Sequence, residues 1–337
     1  FVIIQYTGQT YYNLNMVSAN YHASEESLVE INIEDMLISF GIQNWRWARR
    51  LARRLFAYPA RKFARHVLDF DRGVDADGLT AGSLRMLPDY VQSLTINGQE
   101  NLPPQGPVLI LSNHPGMADT LALFAALPRH DLRVLAAERP FLRALSATSR
   151  YLFFVPEAED QRGQVVRQTA AHLRAGGAVL TFPAGKIEPD PRVLPGALES
   201  LKDWSISTGL FVRLIPGLPV LPVMVSGVIA APSLRHPLTL LRRREEDKRR
   251  LAATLQILMR EIFPRLWPVD VRVDIFPPID THPLAGFRHP QEITMKIIEQ
   301  IYPHYEKTIQ VLKQMPPSAS FKTATAVAVS SVSEDGL

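Results

Sequence analysis

From about residue 90 onward, short unbroken apolar runs alternate with stretches whose apolar positions recur every three or four residues. The runs are "VLILS" (108–112), "LRVLAA" (132–137), "YLFFV" (151–155), "AVLTF" (178–182), "VLPVMVSG" (220–227) and "DVRVDIF" (270–276). Runs this short and this rich in Val, Leu and Phe suit strands buried on both faces. Helical patterns fall between them at 119–127, 140–149, 161–175, 196–208 and 239–263, and 290–313 closes the series. The alternation predicts an α/β fold: a mixed, largely parallel sheet covered by helices on both faces. Functional groups in such sheets gather where strands end and loops lead into helices. The apolar stretch 209–232 carries Arg213 and is cut by Pro216, Pro219 and Pro222. A membrane span needs ~20 apolar residues that stay helical, so this stretch reads instead as two buried strands joined by a proline-rich turn.

The N-terminal part has another character. Residues 1–43 show no period beyond a short helix in "VEINIEDMLISF". From Trp45 to His66 the chain holds Arg46, Arg49, Arg50, Arg53, Arg54, Arg61, Lys62 and Arg65 and no acid, while Trp47, Leu51, Leu55 and Tyr58 recur at helical spacing. This predicts an N-terminal amphipathic helical extension over 44–75, basic on one face and aromatic and aliphatic on another. Such a face suits an anionic membrane surface, where rings sit at headgroup level and arginines meet lipid phosphate, and 44–70 would dock there. The alternatives are a solvated helix packed on the core, or a nucleic-acid patch; no nucleic-acid-binding motif accompanies it, and no nucleic acid is expected. The α/β domain is expected over 85–314, followed by a small, polar, disordered tail over 315–337.

Composition narrows the chemistry. The 37 Lys+Arg against 33 Asp+Glu leave a net charge of only +4, so any charge argument rests on distribution. Without cysteine there are no disulfides, thiolate metal sites or cysteine nucleophiles. The histidines outside residue 114 show no ligand spacing, and no metal is expected. The chain opens on Phe1 rather than Met, which leaves its natural start open.

Two motifs remain. "LSNHPGMAD" (111–119) puts a histidine, a tight turn and an aspartate at the exit of a buried strand. Five residues apart on one ideal helix, two side chains sit ~140° apart around the axis and do not meet. With Pro115 and Gly116 turning the chain, Asp119 can fold back on His114, fix one tautomer and stabilise the imidazolium. The other reading is ordinary turn and helix-cap chemistry. "LTFPAGKIEPDPRVLPGALESL" (180–201) passes from a strand through Phe182, Pro183, Gly185 and Lys186 into a proline-rich loop. Gly185 permits backbone N–H groups to converge on one anion, and Lys186 adds a point charge, without the spacing of a Walker A loop.

In this order the segments resemble the glycerolipid acyltransferase family. "NHPGMAD" is similar to that family's Asn-His-x-x-x-x-Asp block, "FPAGK" with the later Gly-Ala to its Phe-Pro-x-Gly block, and "LPVLPVMVSG" to its fourth block. The first two blocks lie about 70 residues apart. Where that family usually has Glu and Ser/Thr, this chain has Ala184 and Lys186, and near its second-block arginine stands Glu157, with Arg162 further on. The resemblance implies His114 as general base on an acceptor hydroxyl, Asp119 orienting it, and an acyl thioester of coenzyme A or acyl carrier protein as donor, with no further cofactor. It also implies that Asn113 helps to hold the oxyanion and that Phe182, Pro183, Gly185, Lys186, Arg162 and Arg192 line the acceptor and phosphate site. Gly116 and Pro222 would lend oxyanion or structural support. The expected acceptor is a lysophospholipid or a glycerol-phosphate type of alcohol, and the expected location is cytoplasmic, peripheral on the inner face of the membrane. A non-catalytic lipid-binding relative and a thioesterase are the alternatives.

Overall fold

The computed structural model of this chain describes residues 24–315 apart from Gln43. What was expected of 1–23, and of the tail beyond Met315, lies outside the described residues. In chain order the helices are α1 (Glu25–Phe40), α2 (Arg46–Tyr90), α3 (Ala118–Ala126), α4 (Pro140–Ala144), α5 (Ser146–Ser149), α6 (Arg162–Arg174), α7 (Ser207–Leu214), α8 (Ala231–Leu234), α9 (Pro237–Leu240), α10 (Glu245–Ile262) and α11 (Pro290–Gln314). The strands are β1 (Ser93–Asn97), β2 (Val108–Ser112), β3 (Arg133–Ala137), β4 (Leu152–Val155), β5 (Ala178–Thr181), β6 (Val220–Ser226) and β7 (Asp270–Ile275). They form one 7-stranded sheet in the order β1-β7-β6-β2-β5-β3-β4. From β6 to β4 all neighbours run parallel, while β7 lies antiparallel to β6 and carries β1 parallel beside it.

Burial on both faces explains the unbroken apolar runs. Val108 and Ile110 of β2 enter a core shared with α1, α2, α3 and α10, whereas Leu109 and Leu111 enter a second core with α6, α7 and α11. A strand whose alternate side chains both meet helices has no reason to alternate polar and apolar residues.

The stretch 209–232 corrects the expectation of two buried strands. Its first part belongs to α7, and only Val220–Ser226 is a strand. Phe211 and Val212 bury toward α11, and a Cβ on Gly209 would come 1.9 Å from the Pro290 carbonyl oxygen. Close packing on one side selects the helix in a run where the apolar pattern fits either period. The helix expected over 196–208 is correspondingly a 3-10 turn at Glu199–Asp203 ahead of α7. The expected 140–149 helix is broken at Leu145 (φ −87°, ψ 91°), and the 239–263 helix divides into α9 and α10. β1 escaped the pattern because "SLTIN" is half-buried along its whole length.

The N-terminal helix is longer than 44–75. α2 runs to Tyr90, interrupted at Gly78 (φ 82°, ψ 175°). Ahead of that break its surroundings change along its length. Phe63, Val67, Phe70 and Val74 are buried in the core. Trp47, Leu51, Leu55 and Tyr58 stand 65%, 51%, 63% and 66% exposed. Some of the basic charge is answered from α1: Arg53 pairs with Glu30 at 2.7 Å and Arg65 with Glu25 at 3.0 Å. Among the described residues, no helix is long and apolar enough to cross a membrane.

Candidate functional site

β2 carries Asn113 and His114 to the carboxyl ends of the parallel strands, where the loops after β5 and β6 also emerge. Pro115 and Gly116 turn the chain there, and α3 starts at Ala118 with Asp119 in its first turn. The fold-back expected from the turn is present. Asp119 Oδ2 lies 2.7 Å from His114 Nδ1 and accepts the Gly116 N–H at 3.0 Å, while Oδ1 accepts the Thr120 hydroxyl at 3.1 Å. A carboxylate there assigns the ring proton to Nδ1, so Nε2 holds the lone pair. Nε2 is buried and has no hydrogen-bond partner among the described residues. His114 as a whole is 1% exposed, with the Phe182 ring 4.8 Å away, so an acceptor reaches Nε2 only after a neighbouring side chain moves.

Gly116 is needed for close approach: a Cβ there would lie 3.0 Å from both Val228 and Ile229, in the loop after β6. That loop is itself stapled to the loop after β5. Asp190, fully buried, accepts the N–H groups of Arg192 (2.9 Å), Gly227 (2.9 Å), Val228 (2.7 Å) and Ile229 (3.0 Å). Burial raises its carboxyl above the usual range, with those backbone donors pulling the other way. Glu188, two residues earlier, accepts the His114 N–H at 3.0 Å, and burial pushes its carboxyl up to about 7 against donors from Trp204, Ser200 and His114. Sequence reasoning missed both acids. The available signal was two carboxylates inside the otherwise proline-rich stretch "KIEPDPR".

The remaining expected residues are placed as follows. Gly185 takes φ 63° and closes a turn by donating its N–H to the Phe182 carbonyl at 3.0 Å, and the Pro183 carbonyl accepts the Ser205 N–H at 2.9 Å. Lys186 pairs with Asp203 at 2.9 Å. The Arg192 guanidinium donates to the Asp270 carbonyl at 3.0 Å. Arg162 is tied to the loop after β4, donating to the Pro156 and Glu157 carbonyls at 3.3 and 3.0 Å. Asn113 donates to the Val225 carbonyl at 2.9 Å and accepts its N–H at 2.7 Å, which straps β2 to β6 and engages the amide that the resemblance would offer to an oxyanion. Pro222 sits inside β6 opposite Leu111, and its carbonyl accepts the Phe276 N–H, a support to the sheet. Glu157, standing near the family's arginine, is paired at 3.0 Å with Arg139 from the loop after β3, a cation that the motif spacing did not point to. Among the described residues, no group of three or more acids and histidines could hold a metal ion.

Residues 93–226, from β1 to the end of β6, match the family model described as Acyltransferase. Over that segment the chain is similar to the acyltransferase family. Both the His114–Asp119 turn and the Gly185 loop fall inside the matched segment, while α1 and all of α2 precede it. The matched segment supports an acyl-transferring enzyme. Among solved structures, the 1-acyl-sn-glycerophosphate (LPA) acyltransferase PlsC from Thermotoga maritima is similar at 16% identity, covering 87% of this chain and 99% of that one, with a TM-score of 0.40. No curated protein matches the acyltransferase.

Proposed function

We propose that this enzyme transfers a fatty acyl group from a thioester, of coenzyme A or acyl carrier protein, to the hydroxyl of a lysophospholipid or glycerol-phosphate type acceptor. One observation carries the reading: His114 Nδ1 is held 2.7 Å from Asp119, which leaves a buried Nε2 with no partner. That nitrogen takes the proton of the acceptor hydroxyl, and Asp119 stabilises the imidazolium that results. The freed oxygen attacks the thioester carbonyl; the C–S bond breaks as the tetrahedral adduct collapses, and the thiolate takes the proton back from Nε2. No covalent enzyme intermediate is needed. On this reading Lys186, Arg162 and Arg192, each engaged within the chain, would turn to an acceptor phosphate, with the Gly185 turn offering backbone N–H groups.

The exposed stripe of Trp47, Leu51, Leu55 and Tyr58, with Arg50 and Arg54 exposed beside it, supports docking of this part of α2 on an anionic membrane surface. Apolar side chains left outside the core need another apolar phase, and the lipid acceptor lives in one.

The test is a thioester-release assay with acyl-coenzyme A and acyl carrier protein, with and without lysolipid, products identified by mass spectrometry. We expect acceptor-dependent release in the parent and its loss, by about 10²–10⁴-fold, in a folded His114→Ala variant. Unchanged turnover in that variant refutes the assignment.

A further inference from the structure

We propose that Glu188 is a positioning residue that grips the general base by its main chain. This rests on the reading of His114 as base. Asp119 fixes the imidazole ring, but a ring is only as well placed as the backbone that bears it. Glu188 supplies that placement from both sides. Its N–H donates to the His114 carbonyl at 2.8 Å, and its carboxyl Oε2 accepts the His114 N–H at 3.0 Å. One residue thereby holds the two peptide groups flanking the His114 Cα.

The far oxygen is anchored in turn. Oε1 accepts the Trp204 indole N–H at 3.0 Å and faces the Ser200 hydroxyl at 2.9 Å. That hydroxyl also lies 2.8 Å from the Ala197 carbonyl, so its single hydrogen serves one oxygen or the other. A proton carried on Oε1 can turn to Ser200 Oγ while Ser200 turns to Ala197. Oε2 accepts from His114 in either case, and the grip holds in both protonation states. Glutamine has no such arrangement: its NH₂ must face either the His114 N–H or the Trp204 N–H, donor against donor.

A fully buried carboxyl is costly unless it is well paired, and the loop after β5 is already closed onto the loop after β6 by Asp190. What Glu188 adds is contact with His114. A misplacement of about 1 Å at a catalytic group lowers turnover by about 10²-fold.

The experiment compares Glu188→Gln with Asp71→Asn and His114→Ala. Asp71 is a buried carboxylate outside these loops that accepts the N–H groups of Ala147 (3.1 Å) and Thr148 (2.8 Å), so its variant reports the generic cost of losing such a group. In Glu188→Gln we expect kcat to fall about 10²-fold with KM for acceptor and donor within about threefold of the parent, and the Nδ1–H proton resonance of the His114–Asp119 pair to shift or broaden. In Asp71→Asn we expect a lower Tm, kcat within about threefold and an unmoved resonance. If Glu188→Gln does not fold, the Ser200→Ala and Trp204→Phe variants, which loosen only Oε1, are expected to lower kcat about tenfold at constant KM; unchanged kcat in both overturns the proposal. So does Glu188→Gln turnover within threefold of the parent, or a loss matched by Asp71→Asn. Retained activity in His114→Ala, by contrast, removes the underlying reading and with it the role of Glu188.

Discussion

The loops around His114 and the first turns of α2 invert each other. In the loops, polar groups lie inside: His114, Asp119, Glu188 and Asp190 are all 1% exposed or less and almost fully hydrogen-bonded. On α2, apolar groups lie outside, from Trp47 to Tyr58. The first arrangement costs desolvation and returns fixed geometry. The second gives up burial and leaves a surface to be covered by something else. On the proposed reading, they divide the enzyme into a firmly held reacting group and a part that would find where the substrate is.

The sharpest way to break the comparison is at its inner end. Asp119→Asn keeps the shape but removes the charge that fixes Nδ1–H, and its amide can present an N–H to the ring. We expect a folded protein, checked by circular dichroism, with kcat reduced about 10²–10⁴-fold. A near-normal rate would dissolve the pair as a catalytic unit.

The outer end calls for smaller changes. Replacing Leu51 or Leu55, each more than half exposed, by Glu is expected to weaken binding to phosphatidylglycerol-containing vesicles about tenfold each, while activity on detergent-dispersed acceptor stays near the parent's. Unchanged partitioning in flotation assays would reassign the stripe to another partner.

The smallest effect lies in stability against pH. Burial raises Glu188 from 4.5 to about 7, so between those values the folded chain retains a proton that the unfolded chain has released. The stabilisation tied to that proton is fully present below about 4.5 and fades as the pH rises through about 7. Asp190 is shifted in the same direction. We expect the parent's Tm to decline with pH across this window, and the decline to be shallower in Glu188→Gln; equal slopes by calorimetry would place the titration elsewhere.

How much of this was legible follows from the range of each interaction. The turn that brings Asp119 onto His114 is contained in nine residues, and proline, glycine and a helix start announce it. The buried strands announce themselves because both faces of the sheet are covered. α7 was misread because "GLFVRL" is apolar enough for either period, and only its contact with α11 decides. Glu188 was invisible for a different reason: its partner lies 74 residues away along the chain, and nothing local to "IEPD" says which backbone it will grip. Long-range hydrogen bonds between strand-end loops leave no periodic trace.

Nε2 of His114 lies under a cover of side chains. If His114 is the base, its burial would keep bulk water from Nε2, and a thioester arriving alone would meet an idle imidazole. Only an alcohol able to part the cover would be deprotonated. On the proposed reading, such an arrangement would spare the activated acyl group from hydrolysis and favour transfer to an alcohol.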